Sequence, residues 1–130
     1  MVSIIENDER FYVDVSTIPG AGNGLFAKIP LGEGDRLEVI GVLVPAGSPS
    51  DVCSRYADHY KFRVGDLLLI PLGFGGMVNH SKRPNMEKVI EGHSVYLRTT
   101  RSISPGEELT FQYGDRFFEI AEIDPESFTT

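Results

Sequence analysis

Apolar and polar residues in this chain alternate over short stretches instead of recurring every third or fourth position, which predicts strands joined by tight turns. The first strand is expected from Glu9 to Val15, with Phe11, Val13 and Val15 on one side and Tyr12 and Asp14 on the other. Pro19 to Gly24 breaks that pattern, Leu25-Phe26-Ala27 is a short apolar stretch, and residues 30–35 compose a turn. Arg36 to Val44 is β-branched and apolar on both faces, so it predicts one buried strand closed by an exposed loop at Pro45–Pro49. Ser54 to Phe62 is compatible with a helical turn or a strand. Leu67 to Leu72 is a continuous apolar run that Pro71 keeps from being a regular central strand to its end, and Gly73–Gly76 reads as a loop.

The clearest pattern lies further on. Met86–Ile90 and Ser94–Thr100 flank Glu91-Gly92-His93, as in a hairpin with a short glycine-containing turn. Val95 and Leu97 then face one way, Tyr96 and Arg98 the other. Ser104-Pro105-Gly106 is a turn and Leu109–Tyr113 a short strand. Phe117, Ile120 and Ala121 have helical spacing, which predicts a brief amphipathic helix before Pro125.

Composition narrows this picture without redirecting it. At 130 residues and 41% hydrophobic, the chain can fill one core, so residues 1–130 are expected to form a single, mostly β domain. The 14 glycines and 8 prolines suit many turns. Twelve basic against nineteen acidic residues give a net charge of -7, with acids concentrated after Glu107, so no basic footprint for nucleic acid is visible. Acidic excess keeps proteins soluble, and it also suits a cationic partner such as a lysine-rich peptide. Cys53 is alone, which excludes an intramolecular disulfide and leaves too few ligands for structural zinc; no metal is expected. No apolar run reaches membrane-spanning length and no export signal is evident, so a soluble intracellular protein is expected, cytoplasmic or in a host nucleus.

Three short segments carry candidate chemistry. Gly22-Asn23-Gly24, followed by Leu25, lets backbone approach a ligand with no Cβ in the way, though a plain turn needing positive φ has the same composition. It lacks the third glycine of a dinucleotide-binding loop and the Lys-Ser/Thr ending of a P-loop. Asn79-His80 offers amide and imidazole groups suited to a zwitterionic amino acid and an adenine edge, while also fitting a self-satisfied turn. His80 as a general base ranks lower, because no Gly-x-Ser-x-Gly accompanies it. In Gly106–Gly114, the paired Glu107 and Glu108 are expected in a solvated turn, and neighbours on a strand point to opposite faces, so they would not converge as a catalytic pair.

Taken in order, Gly22–Ala27, Asn79-His80-Ser81 with Pro84-Asn85, and Gly106–Gly114 resemble the SET-domain protein lysine methyltransferases, over about Gly20 to Phe118. The resemblance is to minimal viral or bacterial members, since no cysteine-rich flanking module is present. It implies a β-clip-like fold of several small sheets with a knot-like C-terminal crossing through Pro84-Asn85 and short helical turns. It also implies S-adenosylmethionine at Gly22, Asn23, Gly24, Leu25, Asn79 and His80, with Tyr113 as the catalytic residue. The lysine channel would comprise Tyr60, Phe111, Tyr113, Phe117 and Phe118, with Glu119–Thr130, a partner subunit or the substrate replacing the missing wall. Phe111, two residues before Tyr113, implies transfer of more than one methyl group to a lysine of a histone or other basic protein. A small open site gains cover from a second copy, so a homodimer is expected. A non-catalytic peptide-binding module of the same fold is the alternative. Which protein and which lysine would be modified is not written in these residues.

Overall fold

A computed structural model describes residues 6–54 and 61–113. Among these residues, ten strands, a short helix and a 3-10 turn form three small sheets around one core. In the first sheet β1 (Phe11–Val15), β2 (Asn23–Ala27), β10 (Glu108–Phe111) and β7 (Asn79–His80) lie in that order. The second orders β3 (Arg36–Glu38), β9 (Ser94–Thr99) and β8 (Met86–Glu91), and the third β4 (Gly41–Pro45), β6 (Leu67–Pro71) and β5 (Phe62–Val64). The pairings of these strands are antiparallel except that of β10 with β7.

The hairpin forms as its pattern predicts, with Glu91 opposite Ser94 across the Gly92-His93 turn. Val95, Leu97 and Thr99 are buried on one face of β9, while the Arg36 guanidinium lies 3.6 Å over the Tyr96 ring on the other. Leu67–Leu72 also behaves as its composition requires. It is the middle strand of its sheet, paired with β5 only as far as Leu69 and with β4 as far as Pro71, beyond which the Leu72 N–H still donates to the Ile40 carbonyl at 3.0 Å.

The expected single strand over Arg36–Val44 is instead two strands in two sheets. Leu37 pairs with Leu97, then the chain turns at Ile40 and Gly41 enters the third sheet opposite Pro71. A Cβ on Gly41 would overlap the Ile70 carbonyl oxygen and lie 2.8 Å from its carbon, so glycine is required by close backbone approach. Nor is this segment buried on both faces, because Val42 is exposed. In β1 only Phe11 joins the core. Val13 and Val15 are exposed on what is the edge strand of its sheet, and Tyr12 stacks on Phe26 at 5.4 Å.

The loop expected at Pro45–Pro49 also ends in structure. Pro49 opens α1 (Pro49–Cys53), capped by Ser48, whose Oγ accepts from the Asp51 N–H at 3.3 Å. Proline at the start and an acidic residue in the first turn both favour a helix beginning there. Lys61, fully withdrawn from solvent, donates through Nζ to the Asp51 carboxylate at 2.7 Å and ties α1 to the start of β5. Where Gly73–Gly76 is expected as a loop, Phe74–Met77 forms a 3-10 turn that leads into β7. No helix among the described residues is long and apolar enough to cross a membrane. The helix expected around Phe117 and the segment 119–130 lie outside the described residues.

Candidate active site

The first sheet gathers segments that are far apart in sequence. Leu25 pairs with Leu109, Phe26 with Glu108, Thr110 with Asn79, and Phe111 with His80. Gly22–Leu25, Asn79-His80 and Phe111–Tyr113 are thereby brought to one sheet. Leu25 has no exposed surface, so it belongs to the core and offers a ligand neither its side chain nor its main chain, a correction to its expected place in the cofactor site. Tyr60, Phe117 and Phe118 lie outside the described residues.

Tyr113 is fixed at both ends. Its N–H donates to His80 Nδ1 at 2.9 Å, and its hydroxyl donates to the Val78 carbonyl at 2.9 Å. Because Nδ1 is an acceptor, the neutral His80 ring carries its proton on Nε2. Burial, and secondarily the Lys82 charge, hold the His80 pKa below the ordinary imidazole value, so the ring is neutral at pH 7. With one nitrogen engaged and the other protonated, His80 is a support for Tyr113 and not a general base. The Tyr113 hydroxyl has spent its proton on Val78, so its oxygen lone pairs face any further partner.

Aromatic rings surround this tyrosine. Phe111 lies 5.0 Å from it and His80 5.2 Å, both tilted by 57°, and Phe62 in turn stacks on Phe111 at 5.6 Å. Offset and tilted pairs at these separations are the favoured aromatic geometries. Phe62 and the Val78 carbonyl went unseen in the sequence. No local pattern marks either, because Phe62 comes from the far edge of another sheet and Val78 contributes only its backbone.

The paired glutamates separate as adjacent strand residues should, but only one matches the expected solvated turn. Glu107 pairs with Arg101 at the surface and accepts from the Ser104 N–H. Glu108 is buried, a correction to the expectation that both would be solvated. Its Oε1 accepts from the Thr17 N–H at 2.8 Å and the Thr17 hydroxyl at 2.6 Å; its Oε2 accepts from the Ser16 hydroxyl at 2.7 Å and Asn79 Nδ2 at 3.1 Å. Burial pushes its pKa up, yet these bonds together outweigh burial and leave it below the ordinary value. A Cβ on Gly24 would run into this carboxylate, with Cδ only 3.0 Å away. Gly22, by contrast, has open space around it and a φ of +75°. The two glycines of the turn thus serve different needs, one conformational and one steric.

Asn85 acts as a surrogate strand. Its Nδ2 donates to the Glu108 carbonyl at 2.9 Å and its Oδ1 accepts from the Thr110 N–H at 2.8 Å, while the Ser81 N–H donates to the Phe111 carbonyl at 3.1 Å. The segment 81–85 is therefore laid along β10, stitching it to the chain that follows β7.

The SET domain profile matches residues 22–114, from the Gly22 turn to the residue after Tyr113. The chain belongs to the SET-domain family. Part of this SET domain is 41% identical over 58 residues to the histone-lysine N-methyltransferase Suv4-20 of Caenorhabditis elegans; that stretch is 45% of this chain and 20% of the relative. In fold it is similar to the humanized mutant of the Chaetomium thermophilum Polycomb Repressive Complex 2 bound to the inhibitor GSK126. The TM-score is 0.73 and the identity 22%, over 89% of this chain and 16% of that one. The same complex in an autoinhibited conformation bound to S-adenosylmethionine gives a TM-score of 0.72 at 21% identity, over 89% and 16% of the two chains. The SET domain thus spans about a fifth or less of these relatives. The three-sheet β architecture is the SET fold, as the motifs implied.

Proposed function

We propose that this SET domain is an S-adenosylmethionine-dependent protein-lysine N-methyltransferase. The observation that carries the proposal is Tyr113, locked between His80 and the Val78 carbonyl beside an aromatic wall of Phe111 and Phe62. S-adenosylmethionine fits the donors and acceptors nearby. The exposed Gly22-Asn23 turn presents backbone, and Asn79 donates both its N–H bonds to the Asn23 carbonyl and Glu108, which turns Oδ1 outward as an acceptor for an ammonium group. Gly22, Asn23, Gly24, Asn79 and His80 would hold the cofactor, which when bound supplies an electrophilic methyl group on a sulfonium.

The chain's own residues then have defined tasks. The Tyr113 oxygen accepts from the substrate amine and orients its lone pair, since its proton is already committed to Val78. Phe111 and Tyr113 line a dry, electron-rich space for the lysine stem, excluding water and favouring a neutral amine, so no side-chain base is required. His80 keeps Tyr113 in place and moves no proton. Phe111, lacking the hydroxyl that could retain a water there, leaves room for an already methylated amine, so the product carries more than one methyl group. Tyr60, Phe117, Phe118 and residues 119–130 would complete the channel.

The substrate is a lysine in a histone or other basic protein, a reading supported by the Suv4-20 similarity and the net charge of -7. A homodimer would cover the open site, and sedimentation giving only monomer at high concentration would remove that part. Calorimetry with S-adenosylmethionine, followed by labelled methyl transfer to histone and total-protein fractions, tests the whole. Saturable binding and transfer lost in Tyr113→Phe are expected. Absence of binding would leave a peptide-binding module of the same fold.

A further inference from the structure

We propose that Glu108 is the positioning residue of the cofactor cleft, holding the loop before β2 closed and fixing the orientation of the Asn79 amide. The inference rests on the reading that Gly22–Gly24 and Asn79 hold the cofactor. Glu108 touches no reacting atom in that reading, so its role is exerted through other groups.

A buried carboxylate normally requires a cation, but the four hydrogen bonds to Glu108 all come from neutral groups. Those donors belong to only two places, the Ser16-Thr17 corner and Asn79. Ser16 and Thr17 begin the loop that ends in Gly22-Asn23-Gly24. The other hydrogen bonds of this corner among the described residues stay local: Ser16 N–H to the Gly22 carbonyl at 2.8 Å, Ile18 N–H to Ser16 Oγ at 3.0 Å, and Ala21 N–H to the Ile18 carbonyl at 3.2 Å. The tie from the Ser16-Thr17 corner to β10 and β7 therefore runs through the Glu108 side chain.

The second half of the role concerns Asn79. Its two neighbours on this side, the Asn23 carbonyl and the Glu108 carboxylate, are both acceptors, so only the NH2 end of the amide can face them. Oδ1 must face the other way. Without the carboxylate, one of the two constraints on that rotation is lost, and the amide can present a donor where an ammonium group needs an acceptor. Gly24 is part of the same device, since its missing side chain is what lets the carboxylate reach Asn79.

Glutamine at this position cannot reproduce the arrangement. Its single oxygen can serve the Thr17 pair or the Ser16 and Asn79 pair, and whichever it serves, its NH2 meets an N–H donor on the other side. A serine hydroxyl could rotate to accept, but the Thr17 N–H and the Asn79 NH2 cannot.

The test compares wild type, Glu108→Gln and the double variant Ser16→Ala/Thr17→Val by calorimetry with S-adenosylmethionine, by steady-state kinetics and by NMR of the Asn79 side-chain amide without cofactor. Glu108→Gln should raise the cofactor Kd and KM tenfold or more, leave kcat at saturating cofactor within about threefold, and speed exchange of the Asn79 NH2 protons. The double variant, which keeps the buried carboxylate, should raise Kd in the same direction by less, and it carries the test should Glu108→Gln fail to fold. Binding by wild type with an unchanged Kd in a folded variant overturns this role alone, as does unaltered Asn79 amide exchange in the free protein. Absence of binding by wild type overturns the cofactor reading and this role with it. A general loss of stability with kcat falling as much as cofactor affinity would reduce Glu108 to a structural residue.

Discussion

Replacing Asn85 by alanine should strip β10 of its second line of hydrogen bonding. The side chain is buried, and its amide serves two backbone groups at once, the Glu108 carbonyl at 2.9 Å and the Thr110 N–H at 2.8 Å. Alanine takes away the partner of both groups at a buried position. Each buried group so orphaned costs about 1–3 kcal/mol, so the pair is expected to cost about 2–6 kcal/mol. A domain of this size is stable by only about 5–15 kcal/mol, which makes the loss a large share of the total. Urea unfolding followed by circular dichroism measures it directly, with the m-value serving to show that the native state has kept its compactness. Asn85→Asp is the informative partner. Its carboxylate still accepts from Thr110 but opposes the Glu108 carbonyl, so this variant should recover stability as the pH falls and a protonated carboxyl can donate. A cost below about 1 kcal/mol for Asn85→Ala, or a pH-independent deficit for Asn85→Asp, would refute the surrogate-strand account.

Other outcomes follow from the same geometry. Tyr113→Phe removes the hydrogen bond to Val78, a loss that should lower stability by about 0.5 to about 1.5 kcal/mol; a thermal melt showing global unfolding would mean that the tyrosine is mainly structural. Gly41→Ala sets a Cβ against the Ile70 carbonyl and should cost about 1–3 kcal/mol or more by denaturant titration, whereas Gly32→Ala, whose nearest neighbour is 3.9 Å away, should change little. Glu108, Glu107 and Asp8 all have pKa values held below their ordinary ones in the folded protein. Their contribution is present above the unfolded carboxylate values and lost as the pH falls through the lowered folded ones. Urea midpoints should therefore drop on the acid side, less steeply in Glu108→Gln; identical acid limbs in the two proteins would contradict the part assigned to Glu108. Finally, Phe111→Tyr should shift the product toward monomethyl-lysine in mass spectra, and an unaltered methylation ladder would argue against the space argument.

The sequence made some of this legible because periodicity and turn chemistry act locally. Met86–Thr99 folds as its alternation demands, and the continuous apolar run at Leu67–Pro71 forms the middle strand of its sheet. The division of Arg36–Val44 between two sheets was hidden, because apolar periodicity reports burial and not which sheet supplies the neighbour. Gly41 was the available signal, a glycine inside a strand pattern marking close backbone approach. Tyr113 and His80 were singled out by motif, and the structure brings them into direct contact. Glu108 was misjudged for a different reason. An acidic pair in a turn suggests solvation, and nothing in its immediate neighbours reveals donors at Ser16 and Thr17, 92 and 91 positions away.

The placement of β10 between β2 and β7 has a consequence in time. Leu109 must find Leu25, near the other end of the chain, and Thr110 must find Asn79 in the same event. Local hairpins such as β8–β9 can close in microseconds, while pairing across such loops carries a larger closure entropy and comes late. The candidate site therefore has no partially folded precursor: until β10 docks, neither Tyr113 nor Glu108 has its partners. In refolding, cofactor binding should lag behind hairpin formation and arrive with the last cooperative phase, making the ligand a reporter of completed folding.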